Sequence, residues 1–295
     1  MLLDYIEPVY RPPSEANSLI LQVTNGCSWN QCSFCDMYTD EQKKFRPKSI
    51  EVIRQELQTV AGSGMPVRRI FLADGDAMTL SFRRLLEICQ AINEYFPDLQ
   101  RISAYCLPRN IKYKSVEELR QLQQLGLNLV YVGCETGDDL ILEKIAKGET
   151  WNSSRDALIK LQQAGIKRSV MILNGLGGVI FSEQHALNSA RLMNEAQPEY
   201  LATLVVTFYK GTERFQAGYN NEFIPLDTIQ LAQEMEMMLS TLELDKTIFR
   251  SDHASNYLVL KGVLNKDRDR LLNMVRQSIS NPGSVPLRSE SQRGL

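Results

Sequence analysis

Long runs of like charge are missing from this 295-residue sequence, in which 33 Lys plus Arg against 35 Asp plus Glu leave a formal net charge of -2. No stretch carries the five or more like charges of a nucleic-acid or membrane-surface patch, so neither nucleic acid nor a membrane is an expected partner. Also missing is any run near the roughly 18 apolar residues needed to span a bilayer. The segment Met1 to Arg11 holds Asp4 and Glu7 where a secretory signal would carry Lys or Arg before an apolar core. A cytoplasmic setting is therefore expected. Cysteine is scarce: six residues in a chain of this size are too few for a disulfide scaffold, and histidine occurs only twice, at His185 and His253.

What the sequence does contain is a regular alternation. Apolar β-rich runs predict strands over Leu19 to Thr24, Arg69 to Asp74, Arg101 to Cys106, Leu129 to Cys134, Arg168 to Leu173 and Tyr200 to Phe208. Between them lie helix-period faces such as Ile50, Ile53, Leu57 and Val60, or Phe82, Leu85, Leu86, Cys89 and Ile92. Six such units predict an α/β chain built as a partial (β/α)6 TIM-like barrel with a C-terminal helical extension. An internal echo supports the repeat: Leu122-Gln-Gln-Leu-Gly126 and Leu161-Gln-Gln-Ala-Gly165 each end a helix with the glycine that relieves a left-handed C-cap. The expected organisation is a lead-in over residues 1–18, the partial barrel over 19–223 and an extension closing it over 224–280. Residues 281–295, rich in Ser, Pro, Gly and Arg, are expected to be disordered.

Three of the six cysteines fall within nine residues, in Cys27-Ser-Trp-Asn-Gln-Cys32-Ser-Phe34-Cys35, immediately after the first expected strand. That is the end of a strand where barrel enzymes carry their chemistry. Short spacings in one loop let three thiolates converge on one inorganic centre. With no histidine nearby and no fourth cysteine, the set suits an iron–sulfur cluster with one open iron better than four-coordinate structural zinc, although a zinc-binding structural module is the alternative.

With this C-x4-C-x2-C loop, one residue longer than the usual C-x3-C-x2-C, the sequence resembles the radical S-adenosylmethionine (SAM) superfamily over roughly residues 15 to 260. The resemblance implies that Cys27, Cys32 and Cys35 ligate a [4Fe-4S] cluster and that Phe34 packs near the SAM adenine. Ala73-Asp74-Gly75-Asp76 stands where the superfamily has a Gly-Gly-Glu-like motif, which implies that Asp74, Gly75 and Asp76 receive the SAM ammonium. Gly133-Cys134-Glu135-Thr136-Gly137, followed by Leu142 to Gly148, is similar to a segment of the oxygen-independent coproporphyrinogen III oxidases and the elongator catalytic subunit. By that likeness Glu135 accepts hydrogen bonds from ribose or ammonium, and Lys147 stands near the SAM carboxylate in place of a common arginine. Asn174-Gly175-Leu-Gly-Gly178 resembles the glycine loop that passes the adenine, and Lys210-Gly-Thr212 a Pro-Gly-Thr turn.

The implied activity is reductive cleavage of SAM to methionine and a 5′-deoxyadenosyl radical, which abstracts hydrogen from a small or medium organic substrate. A one-electron donor such as flavodoxin or ferredoxin is the implied partner. A cluster- and SAM-binding carrier, such as a heme-trafficking protein, is the alternative. By alternation and helix periodicity, Cys89, Cys106 and Cys134 are expected to be buried small hydrophobes. The polar string Phe249-Arg250-Ser-Asp-His253-Ala-Ser-Asn256-Tyr257 is unusual for simple core closure, and Arg250, His253 and Asn256 are expected on the substrate side.

Overall fold

The computed structural model of the chain describes residues 3–293. The principal strands, in chain order, are β1 (Leu19–Gln22), β2 (Arg69–Ala73), β3 (Arg101–Cys106), β4 (Leu127–Glu135), β5 (Lys167–Asn174), β6 (Tyr200–Val205), β7 (Ile248–Ser251) and β8 (Leu260–Val263). Pairing is parallel from β1 through β4 and from β5 through β7, and antiparallel between β7 and β8. The helices are α1 (Ile50–Gly62), α2 (Phe82–Tyr95), α3 (Val116–Gln124), α4 (Asp139–Lys144), α5 (Trp151–Gln163), α6 (Gly178–Ala196), α7 (Glu213–Gly218), α8 (Thr228–Thr241) and α9 (Arg268–Ser280). The six expected strands are all present. The segment around Ile248 goes further than expected and joins the sheet as β7, pairing Tyr200, Leu201 and Ala202 with Ile248, Phe249 and Arg250. At four residues each, β7 and β8 are too short for alternation in sequence to identify them.

The chain forms two compact units, one of Met1–Asn30, Met37–Val132 and Ala157–Arg168, the other of Gln31–Asp36, Gly133–Asp156 and Ser169–Leu295. Their limits do not coincide with the boundary expected at residue 223. In the first unit, α1 buries Ile53, Leu57 and Val60, and α2 buries Leu85, Ile88, Cys89 and Ile92. Each of α1, α2 and α3 starts at a serine, Ser49, Ser81 or Ser115, whose hydroxyl accepts the orphan N–H three residues on. Gly126 and Gly165 adopt φ of +99° and +77°, the left-handed backbone that the repeated Gln-Gln-x-Gly ending requires.

In the second unit, Phe215, Tyr219 and Phe223 pack with Ile141, Ile145, Leu173 and Leu176, and Phe34 rests against this cluster. Alternation along β5 and β6 puts Leu173 and Leu204 on the face of that cluster, while Val170, Ile172, Leu201 and Thr203 occupy the opposite, fully buried face.

The tail departs from expectation. Residues 282–284 and 290–292 form short 3-10 turns, and Arg293 is buried. Arg288 donates to the carbonyls of Asp252, His253 and Asn256, and Arg293 Nε donates to that of Ser255 at 2.9 Å. Composition predicts disorder because little apolar area is available. Here order comes from two guanidinium groups meeting carbonyls that no strand or helix satisfies. Residues 294 and 295, the rest of the expected tail, lie outside the described residues.

Candidate functional site

In the first unit, β1 runs into a loop that begins Gly26-Cys27. Gly26 adopts φ +68°, and a side chain there would overlap the Lys43 carbonyl oxygen. From the end of β2 comes Asp74, fully buried, whose Oδ2 is held by Lys43 Nζ at 2.5 Å, Gln22 Nε2 at 3.0 Å and the Gly26 amide at 3.2 Å. Through Oδ2 its carboxylate braces the base of the cysteine loop, while Oδ1 has no protein partner. Gly75 approaches the loop most closely: a Cβ there would lie 2.8 Å from that of Cys27 and 2.9 Å from the Gly26 carbonyl. Glycine is thus required for Cys27 to sit against the end of β2.

Asp76 is also enclosed. Its Oδ1 accepts the Ser28 amide at 2.8 Å, and its Oδ2 accepts the Ser28 hydroxyl at 2.5 Å and Asn110 Nδ2 at 3.2 Å. Burial raises the Asp76 carboxyl above its ordinary range, opposed by the Ser28 and Asn110 hydrogen bonds and the charge of Arg109. The Arg109 guanidinium in turn lies 3.6 Å from the Trp29 ring centroid. Within the lengthened Cys27–Cys32 interval, Asn30 takes φ +44° and donates to the Tyr38 carbonyl at 2.8 Å. Asparagine tolerates that left-handed geometry better than most residues.

In the second unit, residues 31–36 are tied down from several directions. The Ser33 amide donates to Ile145 O at 2.9 Å, Arg214 Nη2 to Cys32 O at 3.2 Å, and the Lys210 amide of the Lys-Gly-Thr turn to Asp36 Oδ2 at 3.3 Å. Cys32 is buried and Cys35 half-buried. Glu135, at φ +66° at the end of β4, accepts from Lys147 Nζ at 2.8 Å, and both side chains are buried. A Cβ at Gly133 would overlap Glu135 Oε1 and lie 3.4 Å from Lys147 Nζ. The ammonium stands 5.8 Å from the centroid of Phe34. Burial alone would lower the Lys147 pKa, but the Glu135 carboxylate and Cys32 outweigh it and hold the ammonium above its usual value. Phe34, Glu135 and Lys147 are therefore gathered, although Phe34 and Glu135 are 101 positions apart in sequence.

Asn174 and Gly175 end β5 on another arrangement. Gly175, at φ +82°, donates its amide to Glu234 Oε1 at 2.6 Å, and Ser182 Oγ donates to Glu234 Oε2 at 2.7 Å. His185 Nδ1 hydrogen-bonds Thr136 Oγ1 at 2.8 Å, and its Nε2 lies 3.9 Å from Glu234 Oε1. This buried set fixes the glycine turn. Glu234, like Lys43 and Asp36, escapes a reading of the sequence because each sits in an unremarkable polar context and finds its partner only through the fold. The Asn174 side chain continues the Val170–Ile172 face of β5 and lines a cavity of about 310 Å³ beneath α8 and α9. It therefore lies on the opposite strand face from Leu173, which packs with Phe34.

The polar string separates. Arg250 is exposed on β7, while its neighbour Ser251 and Asn256 are buried and line the same cavity as Asn174. Asn256 Nδ2 donates to Thr203 O at 2.8 Å. His253 Nδ1 faces the Ser255 hydroxyl at 2.9 Å and accepts the Ser255 amide at 3.1 Å, so its ring closes a local turn. Burial, then the charge of Arg288, lowers its pKa below the ordinary 6.5. As pH falls through 6.5 the unfolded chain takes up the proton first, so stability should drop on the acid side until the folded His253 titrates. Urea unfolding at pH 7.5 and 5.5 should show His253→Asn losing that increment of pH dependence. The same acid sensitivity in both proteins would contradict the assignment.

Among the described residues, no three His, Cys, Asp or Glu side chains are already drawn together as a metal would hold them. The fit of a cluster rests on donor chemistry: Cys27, Cys32 and Cys35 are soft sulfur ligands on one loop, against which Gly75 leaves room for Cys27. Cys89 and Cys134 contrast with them, since burial pushes both thiols up to about 12 and keeps them protonated.

Comparison with known proteins agrees with this chemistry. The chain is 25% identical over 181 residues to the heme chaperone HemW of Bacillus subtilis (strain 168), a match covering 59% of this chain and 47% of that protein. It thus spans about half the length of that relative. Among solved structures, coproporphyrinogen III oxidase (HemN) from Escherichia coli, described as a radical SAM enzyme, superposes with TM-score 0.57 at 15% identity, over 76% of this chain and 52% of that one. Methylornithine synthase (PylB) superposes with TM-score 0.52 at 19% identity, over 92% of this chain and 83% of that one. These likenesses show the fold, a mixed α/β chain with a mostly parallel sheet. The profile of the radical SAM superfamily matches residues 21–190, more than half of the chain and including all three loop cysteines. The chain belongs to the radical SAM superfamily.

Proposed function

We propose that this chain is a radical SAM enzyme acting on a small or medium organic substrate. The observation that carries the reading is three cysteines on one loop after β1, inside the segment that matches the superfamily. Bound there, a [4Fe-4S] cluster and SAM would supply one-electron cleavage of the sulfonium to methionine and a 5′-deoxyadenosyl radical that takes hydrogen from the substrate. Cys27, Cys32 and Cys35 provide the thiolates. Asp74 and Asp76 position the loop, the first through Gly26 and the second through Ser28. Lys147, held by Glu135 beside Phe34, offers a fixed positive charge to the SAM carboxylate, while Glu135 accepts from ribose or ammonium. Gly175 contributes through the turn that Glu234 fixes, whereas the Asn174 side chain lines the cavity beneath α8 and α9. Of the three residues expected on the substrate side, Arg250 is solvent-exposed, His253 closes a local turn with Ser255, and Asn256 donates to Thr203 O.

An oxygen-sensitive cluster suits a reducing cytoplasm, with flavodoxin or ferredoxin as electron donor. Anaerobic incubation of the reconstituted protein with SAM and dithionite should yield 5′-deoxyadenosine. Glu135→Gln should keep its iron and bind SAM roughly tenfold to a hundredfold more weakly, the loss of a charge-assisted hydrogen bond. Iron-loaded, SAM-binding protein that makes no 5′-deoxyadenosine above a protein-free control would rule out the enzymatic reading.

A further inference from the structure

The cavity beneath α8 and α9 lies wholly within the second unit, and at about 310 Å³ it stands at the small end of organic-ligand sites. Among the described residues, no Asp, Glu, Lys, Arg or His contributes to its wall. Its apolar lining includes Leu231 and Met235 of α8, Leu260 of β8 and Val275 of α9, together with Pro282 and Leu287 of the pinned C-terminal segment. Burying an ionised ligand against such a wall would be costly, so nucleotides, SAM and carboxylates are poor occupants.

One polar atom of this wall has no protein partner. Asn174 is 3% exposed, and its Oδ1 accepts no hydrogen bond. Thr203, in register with Ile172 on the same strand face, has a fully buried hydroxyl that is likewise unpartnered. Buried acceptors left unpaired are uncommon, and a ligand donor would relieve the cost of that burial. Three other polar groups of the wall are engaged: Asn256 Nδ2 on Thr203 O, Ser278 Oγ on Val275 O, and the Tyr257 hydroxyl on Glu290.

We propose that this cavity is a second ligand site, for a compact neutral ring carrying one N–H or O–H donor that bonds Asn174 Oδ1. It is separate from the Phe34–Lys147–Glu135 group, because Asn174 projects from the strand face opposite Leu173, which packs with Phe34. The C-terminal segment forms part of the site, anchored through Arg288 and Arg293 to residues 252–257.

The test uses anaerobically reconstituted full-length protein, calorimetry, and two isosteric probes: indole, which has a donor, and benzofuran, which has none. Indole is expected to bind about three- to tenfold more tightly than benzofuran, the worth of one neutral hydrogen bond. Saturating SAM should leave both affinities unchanged. Asn174→Leu should abolish the preference for indole, and Ala232→Phe, which fills the cavity from a half-buried position on α8, should abolish binding of both probes. Thermal melts of each variant establish that it is folded. Equal affinity of the two probes, competition by SAM, undiminished binding to folded Ala232→Phe, or no saturable binding up to the solubility of indole would each overturn the proposal.

Discussion

Cys32→Ala is expected to reduce the iron of the anaerobically reconstituted protein from about four per chain to less than one, with loss of the brown chromophore. The thiolate removed is one of only three, and no neighbouring residue replaces it, since the loop Gln31–Asp36 offers only Cys35 as a second sulfur. Cys89→Ala and Cys134→Ala are the controls. Burial pushes both thiols up to about 12, so neither supplies a thiolate near neutral pH. Cys106 is buried as well, its Sγ 3.3 Å from the Leu107 carbonyl that it can meet as a weak donor. Iron analysis together with the visible spectrum decides the matter: a normal cluster in Cys32→Ala, or its loss in Cys89→Ala, would refute the ligand assignment. Asp76→Ala belongs to the same experiment as an intermediate case. Releasing Ser28, the residue after Cys27, should lower iron retention without abolishing it.

The largest effect on stability is expected from Lys43→Met. Lys43 and Asp74 are both fully buried and 2.5 Å apart, and the ammonium also donates to Ile6 O at 2.6 Å. Removing the cation strands a carboxylate whose Oδ1 already lacks a partner, and breaking a buried pair from one side costs about 3–5 kcal/mol. Chemical denaturation should show that loss. The double variant Lys43→Met with Asp74→Leu should recover much of it, because replacing both charges with apolar groups removes the desolvation penalty along with the attraction. A single variant within about 0.5 kcal/mol of wild type, the range of ordinary surface substitutions, would mean that the pair is not buried in solution. Because Asp74 also accepts the Gly26 amide, the same change should loosen the cysteine loop and lower its iron retention.

The sequence by itself determined the features whose physics is local. Alternation in Leu129 to Cys134 and the 3.6-residue faces of α1 and α2 follow from backbone geometry, so the parallel βα order was legible before any coordinates. So were the glycine C-caps Gly126 and Gly165, and the clustering of Cys27, Cys32 and Cys35 after β1. The tertiary structure decided what depends on partners distant in sequence. It is 31 residues from Lys43 to Asp74 and 59 from Gly175 to Glu234, and no local pattern distinguishes such residues from exposed neighbours. The resemblance assigns Asp74 to the cofactor, and only the fold shows that its Oδ2 meets three enclosed donors while Oδ1 has none. Sequence alone also grouped Arg250 with Asn256, but the pleat of β7 turns Arg250 out to solvent while Ser251 and Asn256 are buried. Composition predicted a disordered tail for want of apolar area, while Arg288 and Arg293 order it by donating to carbonyls 32 to 38 residues away. Hydrophobic periodicity is a property of consecutive residues and survives in sequence. The pairing of buried polar groups is a property of the folded chain, fixed by which donors and acceptors lose water together.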